Sequence, residues 1–521
     1  RINIITAGVI LSLFLASMEG TVVATAMPSI VAQLGGLSIY SWVFSIYMLA
    51  STTSVPIYGK VSDIFGRKKV FTFSMGLFLF GSVLCGLATS MESLILFRAI
   101  QGLGAGGVLP MALTVIGELF SVEKRAKMQG LISSVWGLSS VIGPLIGGLL
   151  VDQISWEWVF FINLVPGTLA IIFVWFAWLE DKSISKIKVD LDIPGVVFLT
   201  VGVLCLLLGL NGLENSSSLW FISIAIILLS ALIFVEKKAL DPILPLKLFG
   251  NRLFLVAFLH GILAGWAMFG SLSYIPLFVQ AVIGTSATQA GLSLTPMSLM
   301  WTLTSIVGGR LMIKINFRLL AVVGMVLLVI GSFLLTMIGV GTSQLAIMIY
   351  TSFMGIGMGL TIPVFMIIIQ TTVRRNVLGT ATSTIQFSRN IGGTIGVSVL
   401  GVFLSTRLSK LLVESGFDIS TISLSGLINQ TPGSEAAFSE PLRIALSTSM
   451  ANMFYIALGA AALGLIVVLF TPKGVITQLT SSPLEKSPEQ ECDSNSGAMS
   501  PGAGKWACSG FSHAKRGHET Q

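Results

Sequence analysis

Stretches of mostly apolar residues, each close to the ~20 residues that a helix needs to cross a bilayer, alternate along this chain with short polar connections. Fourteen are read, at 4–27, 38–58, 70–89, 93–117, 129–151, 157–179, 192–211, 219–235, 253–280, 288–308, 319–339, 345–369, 380–404 and 447–470. The pattern predicts an all-α polytopic membrane protein. The apolar N-terminus fits a first membrane helix better than a cleaved signal. One connection, 405–446, is long and rich in Ser and Gly, and is expected to be an external loop. Residues 473–521 are polar, rich in Ser, Gly and Pro, and have the composition of a disordered tail.

The connections differ in charge. Lys60, Arg67, Lys68 and Lys69 follow the second run, and Lys124, Arg125 and Lys127 the fourth. Lys182, Lys186 and Lys188, then Lys237, Lys238, Lys247 and Arg252, then Arg310, Lys314 and Arg318, then Arg374 and Arg375 continue the series after every second run. The intervening short connections carry no Lys or Arg. Basic loops stay on the cytoplasmic side, so both termini are expected in the cytoplasm of a multi-pass protein of the plasma membrane.

Composition fits this reading. Of 521 residues, 54% are hydrophobic and 10% charged, against about 25% charged in a soluble domain. The net charge of +7 comes from the basic loops and gives no sign of nucleic-acid binding. Cys85, Cys205, Cys492 and Cys508 lack metal-ligand or disulfide spacing, and His260, His513 and His518 are dispersed. No Gly-x-x-x-x-Gly-Lys-Ser/Thr phosphate loop occurs. A membrane-embedded enzyme would want a catalytic His or Asp cluster, and a sensor a soluble signalling domain. Neither is found, so no catalytic residues, metal site or cofactor are assigned.

Four motifs stand out. Gly59, Asp63, Gly66, Arg67 and Lys68 lie between the second and third runs, and a degenerate echo, Gly309–Arg318, follows the tenth. The fifth run has Gly130, Ser139, Gly143, Pro144, Gly147 and Gly148. Small residues there let helices approach closely, and Pro144 removes a backbone donor. The first run carries Glu19, two residues before Thr21. The fourth carries Arg98, Gln101, Gly102 and Gly104. An ionisable side chain in a membrane helix is expensive and marks function by default; the alternatives are a structural partner in the bundle for Glu19 and a static clamp for Arg98.

The first motif resembles the loop signature of the major facilitator superfamily, and the other three resemble elements of its fourteen-helix drug:proton antiporters. Trp42 and Tyr47 in the second run, Trp156–Asn163, Asp241–Phe249 and Arg389–Gly393 agree with the same family. Ser139 stands where that family usually has Gly, Glu19 where it has Asp, Ala24 where it has Asn, and Glu157 where it has Arg. The resemblance implies two six-helix bundles, 1–180 and 253–472, joined by a linker with two additional helices (181–252) and followed by the tail.

It further implies proton coupling through Glu19 and Arg98, with protons as the only coupling species. Asp63 and Arg67 would latch a cytoplasmic gate, and Gly143, Pro144, Gly147 and Gly148 would form an antiporter helix. Trp42, Tyr47, Gln101, Trp266, Gln386, Arg389 and Asn390 are candidates for a substrate cavity, with Met268 beside them, whereas His260 is read as structural. The implied activity is proton-driven efflux of lipophilic or cationic drugs by a monomer in a bacterial plasma membrane. An exporter dedicated to one endogenous metabolite, lipid or antibiotic is the alternative.

Overall fold

The computed structural model describes residues 1–35, 39, 41–178, 192–211, 217–239, 242–244, 246–285, 287–414 and 440–474. The tail from 475, most of the basic linker 179–191 and the centre of the 405–446 connection lie outside the described residues, as does the side chain of Pro144.

Long helices dominate, and no strand occurs among the described residues. In chain order they are α1 (Ile2–Leu34), α2 (Ser41–Phe65), α3 (Arg67–Gly86), α4 (Met91–Leu119), α5 (Val122–Gln153), the short α6 (Trp158–Phe161), α7 (Leu164–Ala177), α8 (Ile193–Asn211) and α9 (Ser217–Lys238). They continue as the short α10 (Leu246–Phe249), α11 (Arg252–Ala281), the short α12 (Ala287–Leu292), α13 (Thr295–Leu311), α14 (Phe317–Leu335), α15 (Gln344–Thr372), α16 (Leu378–Glu414) and α17 (Glu440–Leu469).

Local signals set the helix ends. Ser90 and Ser93 form a reciprocal cap on α4, Asn251 caps α11, Asn316 caps α14 and Ser343 caps α15, each supplying an oxygen to an otherwise unpaired first-turn N–H. Gly66, with φ 92°, makes the sharp break between α2 and α3, a backbone region open to glycine at little cost.

Among the described residues, twelve helical segments are long and apolar enough to cross a membrane. The runs at 38–58 and 129–151 fold as α2 and α5 but are not among these twelve, so the expected count of fourteen is matched at twelve of its segments. In α2 the apolar run is diluted by Ser51–Ser54, whereas several side chains of α5 lie outside the described residues. The run 157–179 is interrupted at Ile162 and Asn163, where the chain turns between α6 and α7. The 405–446 connection is shorter than expected: α16 continues to Glu414 and α17 begins at Glu440. Arg407, Lys410 and Arg443 therefore sit on helices extending past the apolar window. Arg443 donates to the Val282 carbonyl at 2.6 and 3.0 Å, satisfying an acceptor just past the end of α11.

The packing repeats. α1 packs on α5 and α7, α4 on α2 and α3, and α3 on α7. Likewise α11 packs on α16 and α17, α15 on α13 and α14, and α14 on α17. α2 corresponds to α13, which is where the sequence echo at Gly309–Arg318 falls. α2 against α16 and α5 against α13 join the two sets. The α8–α9 hairpin lies over the α2–α16 seam, where Leu199, Val203, Leu207 and Leu232 share a core with Leu49, Val55, Phe387 and Ile391.

Candidate functional site: a buried ionic cluster and an interhelical latch

Glu19, on α1, is 2% exposed and Arg98, on α4, 1%. The Arg98 guanidinium donates to Glu19 Oε1 at 2.5 Å and to Gln101 Oε1 at 2.8 Å, and its Nε donates to the Val43 carbonyl at 3.2 Å. Gln101 Nε2 donates to Glu19 Oε1 at 2.9 Å and to Ser82 Oγ at 3.2 Å. Asn163 Nδ2 donates to Glu19 Oε2 at 2.8 Å and to Ser82 Oγ at 3.0 Å, and Ser82 Oγ itself donates to the Phe160 carbonyl. The Arg98 guanidinium lies 4.1 Å from the centre of the Tyr47 ring, within range of a cation–π attraction.

Five helical regions thus converge on one carboxylate, with both oxygens satisfied. A buried ion pair is tolerable only when its remaining polar atoms are hydrogen-bonded, and the amides of Gln101 and Asn163 meet that need. The turn between α6 and α7 brings Asn163 into this position. Gln101 and Tyr47, expected in a substrate cavity, lie in this cluster. Sequence reasoning gave no role to Ser82 and placed Asn163 only within a family segment. For Gln101 a signal existed, because its spacing of three from Arg98 puts both on one helix face.

The two sets of helices are tied together at the basic-loop side. Asp63 Oδ1 accepts from the Gly379 N–H at 2.9 Å, and Oδ2 accepts from the N–H and the hydroxyl of Thr380, both at 2.7 Å. A carboxylate thus occupies the N-terminus of α16, where the free N–H groups and the helix dipole favour negative charge. Arg67 bridges Asp63 at 3.0 Å and Glu118 at 2.8 Å. Lys68 Nζ donates to the Trp178 carbonyl at the end of α7 and stacks over Trp175. A Cβ at Gly59 would collide with Ser383 and the Gly379 carbonyl, so α2 and α16 are in backbone contact there. Arg125 donates to the Gln370 carbonyl, and Gln370 Nε2 to the Leu113 carbonyl. Thr302 donates to the Ser133 carbonyl, and Ser133 to Ser305.

On α5, a Cβ at Gly143 would strike Thr21, whereas Gly148 faces open space. Gly147 is buried. Ser139 accepts a hydrogen bond from Ser17 at 2.6 Å, so the serine that departs from the family pattern is used in holding α1 to α5.

The remaining candidates lie elsewhere. Trp42, near the start of α2, is 40% exposed. On α16, Gln386 Nε2 donates to Asn390 Oδ1 at 2.9 Å, and Arg389 donates to Gln386 Oε1. Trp266 has a buried indole N–H without a hydrogen-bond partner. The seven cavity candidates therefore do not form one lining: Tyr47 and Gln101 surround Glu19, while Gln386, Arg389 and Asn390 form a separate group.

A bundle of apolar helices with a repeated packing scheme, a buried ion pair and closely bonded ends on one side defines a polytopic membrane transporter. The Major Facilitator Superfamily pattern matches residues 9–397, and the chain belongs to that family. It is 37% identical to the multidrug transporter protein MdtP of Bacillus subtilis over 505 residues, covering 90% of this chain and 92% of that one. It is 36% identical to multidrug resistance protein 3 of the same organism, covering 90% and 95% respectively. The proton:xylose symporter XylE, at 14% identity, superposes with a TM-score of 0.62 over 92% of this chain and 98% of its own, a likeness of fold.

Proposed function

We propose that this protein is a proton-coupled antiporter that exports lipophilic or cationic drugs across a bacterial plasma membrane, as a monomer with fourteen spans and both termini in the cytoplasm. The observation that carries the reading is the Glu19–Arg98–Gln101–Asn163 cluster. The names of the two Bacillus relatives support the drug class. A helix in each of the fourteen apolar segments supports the span count, and the alternation of basic loops supports the orientation. The repeated packing supports a division into bundles 1–180 and 253–472 around the linker pair.

In this reading the conformation is closed on the cytoplasmic side, with Asp63, Arg67 and Lys68 as the latch. A proton arriving from outside neutralises the Glu19 carboxylate and weakens its hold on Arg98, whose charge then rests on Gln101 Oε1 and the Val43 carbonyl. The loss of that ion pair lets α1 and α4 shift, and the two bundles rock about a midplane substrate. Release of the proton to the cytoplasm restores the pair and resets the cycle. Proteoliposomes with an imposed pH gradient test this. Wild type is expected to expel a cationic dye only when protons can flow inward, and Glu19→Gln to lose that dependence while still binding dye. Export indifferent to the gradient in wild type overturns the reading.

A further inference from the structure

Arg389 differs from Arg98 in one respect that physical chemistry makes consequential. Among the described residues no carboxylate pairs with it, and the sequence explains why: no Asp or Glu occurs between Asp241 and Glu414. Helices α11, α13, α14 and α15 hold no acid at all. α16 holds one only at its last residue, about 37 Å along the helix from Arg389. Asp63 reaches α16 from the other set, but about 15 Å away along the axis, and it is already engaged by Gly379 and Thr380.

A guanidinium left in an apolar bundle without a counter-charge is costly, so its retention needs a compensating anion. Beside it is a cavity of about 20 Å³ between α11, α15 and α16, room for about one water, lined by Arg389, His260, Met358, Ile362, Phe365 and Ile385 among others. Two polar atoms there are unused. Arg389 Nε has no hydrogen-bond partner, and neither has His260 Nε2, on a side chain that is 3% exposed and lies against the Phe365 ring, 4.6 Å between centroids.

We propose that, as α11, α15 and α16 part during transport, this cavity widens to receive the carboxylate of an amphiphilic acid, with Arg389 as its counter-ion, His260 as a second polar contact, and the methionine, isoleucine and phenylalanine side chains against the apolar body. Planar guanidinium groups match carboxylates in shape and charge. The proposal rests on the reading of the protein as an exporter and adds acids to its substrates. It gives the two arginines different duties, one balanced by an acid of the protein and the other by an acid of the cargo.

Binding to the full-length protein in lipid nanodiscs tests this independently of transport. The probes are a dansyl-labelled medium-chain fatty acid and its primary amide, which share a chain and have a charged and a neutral head group respectively. Wild type is expected to bind the acid at least about tenfold more tightly than the amide, the scale of one charge-assisted contact. Arg389→Gln should abolish that preference, Arg389→Lys should keep part of it, and His260→Ala should reduce it. An unfolding temperature close to wild type shows that each variant is folded. Equal affinity of wild type for acid and amide, or a preference that survives Arg389→Gln, overturns the proposal. Acid preference without pH-driven export retains this inference and removes the antiporter reading instead.

Discussion

The Glu19 carboxylate accepts three side-chain hydrogen bonds in the buried interior of the helix bundle, and its energetics are those of a buried pair. Removing one partner strands the other charge, at a cost of about 3–5 kcal/mol, whereas replacing both with apolar groups is often neutral. Glu19→Leu and Arg98→Met are thus each expected to lower the thermal unfolding temperature, and the double variant to recover it without recovering pH-driven export. If the double variant regains export, the pair is a clamp and not the proton carrier. Both ionisable residues were legible in the sequence because charge inside an apolar run is conspicuous. Ser82 and Asn163 were not assigned to the cluster, since hydroxyl and amide side chains are common in such helices and only convergence in space separates a ligand of Glu19 from an ordinary polar residue.

At the scale of the helix, glycine has different meanings at neighbouring positions of α5. Gly143 lets Thr21 of α1 approach; a valine there would push the helices apart at the point where Ser17 and Ser139 bond. Gly148 meets nothing. Gly143→Val is therefore expected to impair export and to make proteoliposomes leak protons, while Gly148→Ala leaves both unchanged. Leakage equal to wild type in Gly143→Val would remove the sealing role of the α1–α5 contact. The sequence marked the two glycines alike, because spacing along a helix names a face without saying what stands opposite. The interruption between α6 and α7 was likewise invisible in a continuous apolar run, and the extension of α16 and α17 beyond theirs was hidden by polar residues, which suit a helix above a membrane as well as a loop.

The whole molecule is held in one arrangement by contacts at the basic-loop ends, of which Asp63 on the N-terminus of α16 is the most concentrated. Charge-assisted hydrogen bonds are about twice as strong as neutral ones. Losing about 2 kcal/mol of them in Asp63→Asn would shift a two-state equilibrium about thirtyfold toward opening on that side. Spin labels on the basic-loop ends of α5 and α13 are expected to report a longer distance population in this variant. A distance distribution identical to wild type would show that the remaining contacts of Arg125, Gln370 and Thr302 suffice alone. Sequence alone settled the membrane class, the positions of nearly all the long helices and the identity of the two charged residues in the first and fourth, because the exclusion of water from hydrocarbon acts on composition and each costly charge is visible one residue at a time. Tertiary structure decided what those charges touch, which of the cavity candidates belong together and which arginine is left without an acid, because a helix fixes the direction of its side chains while only packing against other helices supplies their partners.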